Sequence, residues 1–134
     1  MSQWRAPAPG DIVWCYFPEL PHRHPGPKPR PALVQAVEVR EDGVVVTVAY
    51  GTTQGLNRLY SGEFAIRKQQ HPDAYASAGL SYDTKFDFRK TIELPWTGEF
   101  FAVPPNAPHG QHPKLGVLHA SLMRQVQAAH GACD

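Results

Sequence analysis

Hydrophobic and polar positions along the chain lay out a series of short strands. In residues 11–17, Ile12, Trp14 and Tyr16 fall on one side of an extended segment and Val13, Cys15 and Phe17 on the other. A strand that is apolar on both faces is the pattern of a small closed barrel. Residues 32–39 and 44–50 are rich in β-branched side chains and are joined through Glu41-Asp42-Gly43. Asp-Gly between two such runs is among the strongest short-range hairpin signals. Residues 63–67 read as a short strand, residues 72–79 as a brief helix stopped by Gly79, and residues 84–94 as one or two strands. In that last segment Phe86 and Phe88 are expected to face inward and Lys85 and Arg89 outward. Phe100, Phe101 and Val103 predict an edge strand before the breaker-rich residues 104–110. Across residues 115–129, Leu118, Leu122 and Val126 recur at i, i+4 and i+8, flanked by Leu115 and Met123, which predicts a terminal amphipathic helix. The expected class is mainly β, a β-rich α+β chain of five or six strands forming a small barrel or sandwich with a C-terminal helix. No internal repeat is present.

Composition fits this outline. At 134 residues, 42% hydrophobic and 10% aromatic, the chain suits one compact domain over residues 1–134 with a core large enough to fold without staples. The charged fraction of 19% is low, but the apolar content argues against wholesale disorder. No apolar stretch approaches the roughly 18 residues that span a bilayer, and the first ten residues carry no signal-peptide core, so a cytoplasmic, unprocessed chain with no membrane partner is expected. Cys15, inside an apolar run, and Cys133 offer neither metal spacing nor a disulfide framework.

Thirteen basic residues against twelve acidic leave a net charge of +1, which gives no bulk field for nucleic acid. Arrangement matters more than the sum. Residues 18–31 hold six of the 14 prolines and place Arg23, Lys28 and Arg30 against Glu19 alone. Such a segment neither pairs in a sheet nor continues a helix, and is expected to be an extended, semi-rigid basic loop.

If Asp42-Gly43 is a two-residue loop, Glu41 pairs with Val44 and the register sets Leu33 opposite Thr52, Ala32 opposite Thr53 and Pro31 opposite Gln54. Arg30 then lies roughly 10 Å from Thr52 at about 3.3 Å of rise per residue, a gap that its side chain largely covers. Arginine presents a fork of donors that matches phosphate, the Thr52 and Thr53 hydroxyls and the Gln54 amide add neutral hydrogen bonds, and Gly51 and Gly55 allow close backbone approach. The cluster suits a phosphodiester. On spacing alone, Gly51-Thr52-Thr53-Gln54-Gly55 reads more often as a polar strand end, with Arg30 a solvated loop charge.

Three motifs in order shift that balance. Gly10-Asp11-Ile12-Val13-Trp14, then Arg30-Pro31-Ala32-Leu33-Val34, then Thr52-Thr53-Gln54 resemble the MazF/PemK family of toxin–antitoxin toxins over roughly residues 10–68, and Lys114-Leu115-Gly116 followed by a helix resembles the way these proteins end. The resemblance implies an SH3-like β-barrel with short helices, usually a homodimer. It implies a metal-independent endoribonuclease, without cofactor, that is selective for sequence and neutralised by a cognate antitoxin protein. Carried onto this chain, the catalytic residues are Arg30 and Thr52. The reaction is attack of a ribose 2′-hydroxyl on the adjacent phosphorus, which restricts cleavage to RNA, with single strands favoured. Arg30 would bind the phosphate and Thr52 a non-bridging oxygen; because a guanidinium is a poor base at neutral pH, the electrostatic role of Arg30 outweighs an acid/base one. The Pro-rich loop would wall the channel, with Arg23 and Lys28 on phosphates and His22 or His24 stacking on bases. The loop is longer and richer in proline and histidine than the family pattern.

Several sharper readings carry less weight. His22-x-His24 and His109-x-x-His112 lack a supporting cysteine or carboxylate and are expected to bind no metal. Trp14 and Trp96 are expected in barrel core and rim, Trp96 the more exposed. Glu63 is a candidate to order the active arginine, and Lys85 and Arg89 to widen a phosphate-binding surface. Two alternatives stand beside the nuclease: a barrel that binds RNA or protein without cutting, and a gyrase-directed toxin like CcdB. The small, polar ending at residues 128–134 does not fit the hydrophobic C-terminus that the last requires.

Overall fold

The computed structural model describes residues 4–133. Met1–Gln3 and Asp134, the extremities of the expected unprocessed N-terminus and of the polar C-terminal ending, lie outside the described residues. The fold is mainly β, a β-rich α+β arrangement. Its strands are β1 (Asp11–Cys15), β2 (Arg30–Arg40), β3 (Gly43–Thr52), β4 (Glu63–Ile66), β5 (Thr84–Pro95) and β6 (Lys114–Val117). The helices are α1 (Pro72–Ser77) and α2 (Met123–Gly131), the second preceded by a 3-10 turn, Ala120–Leu122. The strands form one antiparallel sheet in the order β4-β5-β3-β2-β1-β6.

That sheet does not close into the expected barrel. Its end strands β4 and β6 do not pair with each other. The β6 end is instead met by the chain leaving α1: a Cβ on Gly116 would overlap the Ser77 carbonyl, and one on Gly79 (φ +68°) the Leu115 carbonyl. At the other end, α2 packs against β4. Helical segments thus pack at both ends of the open sheet.

The strands separate two cores. On one face Ile12, Leu33, Ala49, Phe64, Ile66, Phe86 and Phe88 meet Ala74 and Ala78 of the α1 segment, Leu122 and Ala129. On the other, Val13, Cys15, Ala32, Val34, Val46, Val48, Ile92 and Leu94 meet Phe17, Trp96, Phe100 and Phe101. β1 is therefore apolar on both sides because it is buried on both sides, as its sequence predicts, although within an open sheet. Burial in this apolar setting raises the pKa of the Cys15 thiol. In β5 a bulge carries residues 88–90 past the step from Ala49↔Thr91 to Tyr50↔Asp87. Three extra residues reverse the alternation, so Phe86 serves one core and Ile92 the other.

Three local expectations are corrected. The hairpin turns on Glu41-Asp42, with Arg40 paired to Gly43, whose φ of +136° suits glycine. A bulge at Gln35 then moves the register further, so Leu33 faces Ala49 and Ala32 faces Tyr50. The expected helix over residues 115–129 is split: Lys114–Val117 is strand β6, paired to β1, because Leu115 and Gly116 are needed under α1, and the helix proper starts at Met123. The expected edge strand at Phe100 and Phe101 is reduced to a single bridge, Cys15↔Phe101, both rings being taken into the core. No helix among the described residues is long and apolar enough to cross a membrane.

Candidate functional site

The corrected register brings the sequence-predicted pair closer than expected. Arg30 and Thr52 are the end residues of adjacent strands, and continuing Leu33↔Ala49 and Ala32↔Tyr50 sets Pro31 beside Gly51 and Arg30 beside Thr52. Gly51 is obligatory here, since a Cβ would overlap the Pro31 carbonyl and lie 2.8 Å from the Phe86 ring. Across the same row Trp14 pairs with Pro31.

At this end of the sheet lies a cavity of about 610 Å³. Its lining includes Lys28, Arg30, Thr52, Thr53 and Gln54 together with Trp14, Leu80, Ser81, Tyr82, Pro104 and Asn106. The Thr52 hydroxyl oxygen accepts the Gln54 backbone N–H at 3.1 Å, which folds the chain back after β3 and leaves the hydroxyl proton to donate elsewhere. Arg30 Nη1 donates to the Tyr50 hydroxyl at 2.8 Å, and its guanidinium lies 5.2 Å from the Tyr50 ring centroid. Lys90 Nζ sits at the same 5.2 Å from that ring, which also packs edge-on against Phe17. Arg30 is thus held from Tyr50 with further donors in hand, beside a second cation and in a cavity whose described lining contains no carboxylate.

The remaining predicted residues disperse. Of the Pro-rich loop only Lys28, Pro29, Arg30 and Pro31 line the cavity. Gly26 donates to the Tyr16 carbonyl at 3.1 Å and His22 to the Glu19 carbonyl at 3.0 Å, so the loop folds back on β1's exit rather than extending. Arg23, His22 and His24 are exposed in its outer part, the two imidazoles 5.4 Å apart. Glu63 does not reach Arg30. Its carboxylate pairs with Lys85 at 3.0 Å, and both side chains are more than nine-tenths buried, which also removes Lys85 from any outer surface. Arg89 remains exposed.

The tryptophans exchange places. Trp96 is fully buried, donating Nε1–H to the Arg5 carbonyl at 3.0 Å, whereas Trp14 is half-buried and lines the cavity. His112 is likewise structural. Its Nδ1 accepts the Lys114 N–H at 3.2 Å and Nε2 lies 3.1 Å from the Arg5 carbonyl, so Nε2 carries the proton; burial lowers its pKa. Among the described residues no cluster of three potential metal ligands occurs.

Sequence reasoning missed Tyr50, Tyr82 and Asn106. The signal for Asn106 was the run Pro104-Pro105-Asn106-Ala107, read there only as a chain breaker. No family model matches the chain, and no curated protein matches it.

Proposed function

We propose that the chain is a metal-independent endoribonuclease of the MazF/PemK toxin type that cleaves single-stranded RNA. The observation that carries this reading is the convergence of Arg30 and Thr52, from two separate motifs, on one open cavity with Lys28, Thr53 and Gln54. In the proposed reaction the ribose 2′-hydroxyl gives up its proton to solvent water as its oxygen attacks phosphorus in line; the bond from phosphorus to the 5′-oxygen breaks, a 2′,3′-cyclic phosphate forms and the departing 5′-oxygen takes a proton from water. Arg30 and Lys28 neutralise the phosphate as charge builds on its non-bridging oxygens. The free O–H of Thr52 donates to one of those oxygens. A cognate antitoxin, a homodimeric assembly and a cytoplasmic site of action belong to the same reading.

One observation favours a second reading, binding without cleavage: no histidine, aspartate or glutamate is among the described cavity-lining residues, and a guanidinium is a weak general base. Digestion of mixed-sequence RNA in EDTA separates the two. Cleavage that leaves cyclic phosphate ends and is lost in Arg30→Ala and Thr52→Val supports the nuclease. Retention of RNA on a filter without turnover supports the binder, and neither result abandons both.

A further inference from the structure

Arg30 is held differently from Lys85, Arg40 and Lys114. Lys85 is paired to Glu63 at 3.0 Å, Arg40 to Glu38 at 2.9 Å and Lys114 to Asp11 at 3.5 Å. Each of those carboxylates fixes its cation and offsets its charge. Arg30 instead donates to a neutral oxygen, the Tyr50 hydroxyl at 2.8 Å, and its guanidinium carbon lies 5.2 Å from the centroid of the same ring. The ring is itself fixed, since it packs edge-on against Phe17, a core side chain 3% exposed, with centroids 5.2 Å apart. The β5 bulge over residues 88–90 falls beside Tyr50 and sets the Lys90 ammonium 5.2 Å from that ring as well. Two cations thus share one aromatic residue and keep their charges, and the hydroxyl fixes the orientation of Arg30.

We infer that Tyr50 is a positioning residue for the proposed RNA cleavage, a neutral clamp that fixes the Arg30 guanidinium without offsetting its charge. The inference rests on the nuclease reading. Arg30 lines the cavity, whereas Tyr50 is not among the described lining residues, so Tyr50 acts through Arg30 and makes no contact with the phosphate. An arginine at a strand end has several side-chain torsions to settle, and its forked donors meet the non-bridging oxygens in one orientation only. A carboxylate beside it would settle those torsions equally well, yet would offset the charge that the transition state needs. A hydroxyl settles them at little electrostatic cost, because it accepts one Nη1–H and leaves the other guanidinium donors for a ligand. The clamp therefore matters most where negative charge develops, and its loss falls on kcat rather than on KM.

The test compares the wild type with Tyr50→Phe, which keeps the ring, its packing on Phe17 and both cation–ring contacts and removes the hydroxyl alone. Cleavage of a fluorogenic RNA in EDTA should show kcat reduced about ten- to a hundredfold with KM changed less than about threefold, at an unchanged melting midpoint. In heteronuclear NMR spectra the Arg30 Nη1 and Nη2 signals should be separate in the wild type, where the hydrogen bond restrains rotation of the guanidinium, and should merge in Tyr50→Phe. They should stay separate in Lys90→Met, which removes the other cation from the ring and leaves the hydroxyl. An unchanged kcat in Tyr50→Phe, a loss carried by KM alone, or Arg30 signals that are alike in wild type and Tyr50→Phe or that merge in Lys90→Met overturns the clamp. A fall in both constants together with a lowered melting midpoint makes Tyr50 a structural residue and overturns it too. If the wild type cleaves no RNA, the nuclease reading falls and this role falls with it. If it cleaves and Tyr50→Phe matches it, the role falls and the reading stands.

Discussion

Replacing Lys85 with methionine should be the most damaging single change outside the hydrophobic cores. The Lys85 ammonium donates to Glu63 Oε1 at 3.1 Å, to the Gly55 carbonyl at 3.1 Å and to the Arg58 carbonyl at 3.3 Å. It also lies 5.7 Å from the Tyr60 ring centroid. Glu63 completes the link by accepting the Tyr60 N–H at 2.7 Å. One buried cation therefore ties β5 and β4 to the loop that leaves Thr52 and Thr53. Methionine keeps most of the volume and removes every one of these bonds. A buried ion pair that loses one partner costs about 3–5 kcal/mol, because the surviving charge stays desolvated. Set against the 5–15 kcal/mol typical of whole domains, about one fifth or more of the stability disappears, and the melting midpoint falls by roughly 10–20 °C. Urea unfolding followed by tryptophan fluorescence gives the free energy, and hydrogen exchange at Arg58 and Tyr60 reports the loop. Lys85→Met combined with Glu63→Gln should cost less than the sum of the single changes by about 1–3 kcal/mol, since the second change removes the stranded charge. A loss below about 1 kcal/mol in Lys85→Met, or strict additivity in the double variant, refutes the reasoning.

Three further outcomes are expected. Gly51→Ala should destabilise by about 1–3 kcal/mol in urea, because the added methyl collides with the Pro31 backbone and the Phe86 ring; unchanged stability would mean the hairpin end is looser than described. Arg40→Ala, although it removes contacts to Glu38 at 2.9 Å and Glu93 at 3.1 Å, should leave the urea midpoint unmoved, since all three side chains are well exposed. His112 should make stability fall as pH drops: buried and neutral in the fold with its pKa lowered, it takes up a proton below about 6.5 more readily in the unfolded chain, so protonation favours unfolding there. Thermal melts between pH 7.5 and 5.5 should show a steeper decline for the wild type than for His112→Gln, and parallel declines would count against the assignment.

Strand positions were legible where one physical signal acted alone. The β-branched runs at 32–39 and 44–50 became β2 and β3, and Pro72 with Gly79 bracketed α1, because local propensity and burial agreed. Misreadings arose where two signals competed. Asp42-Gly43 has the composition of a two-residue loop, yet the alternation of Val44, Val46 and Val48 had to face a core that the bulge at Gln35 also serves, and burial set the register over turn chemistry. At Leu115 a helical spacing met the need for a strand beside β1. Gly116, which permits the close approach to Ser77, decided the outcome, although glycine inside a helix already argued against it.

The candidate site was half legible, for a reason rooted in how it is assembled. Arg30, Thr52, Thr53 and Gln54 were found because donors that suit phosphate announce themselves by residue type and fall at the ends of a recognisable hairpin. Trp14, Tyr82 and Asn106 were not, because nothing local distinguishes a tryptophan facing a cavity from one filling a core, and they come together only through pairings of Trp14 with Pro31 and of Leu115 with the α1 exit. The Trp14 and Trp96 exchange shows this directly. Both sit in apolar stretches, and Trp96 was expected at the rim as the more exposed of the two, beside Pro95, yet the Arg5 carbonyl satisfies its indole N–H and permits complete burial. Trp14 faces no such buried acceptor, and one wall of its surroundings is a gap. Where a polar handle finds a buried partner, as at Trp96, the aromatic residue belongs to the core; where the sheet leaves a space beside it, as at Trp14, the residue lines a cavity instead.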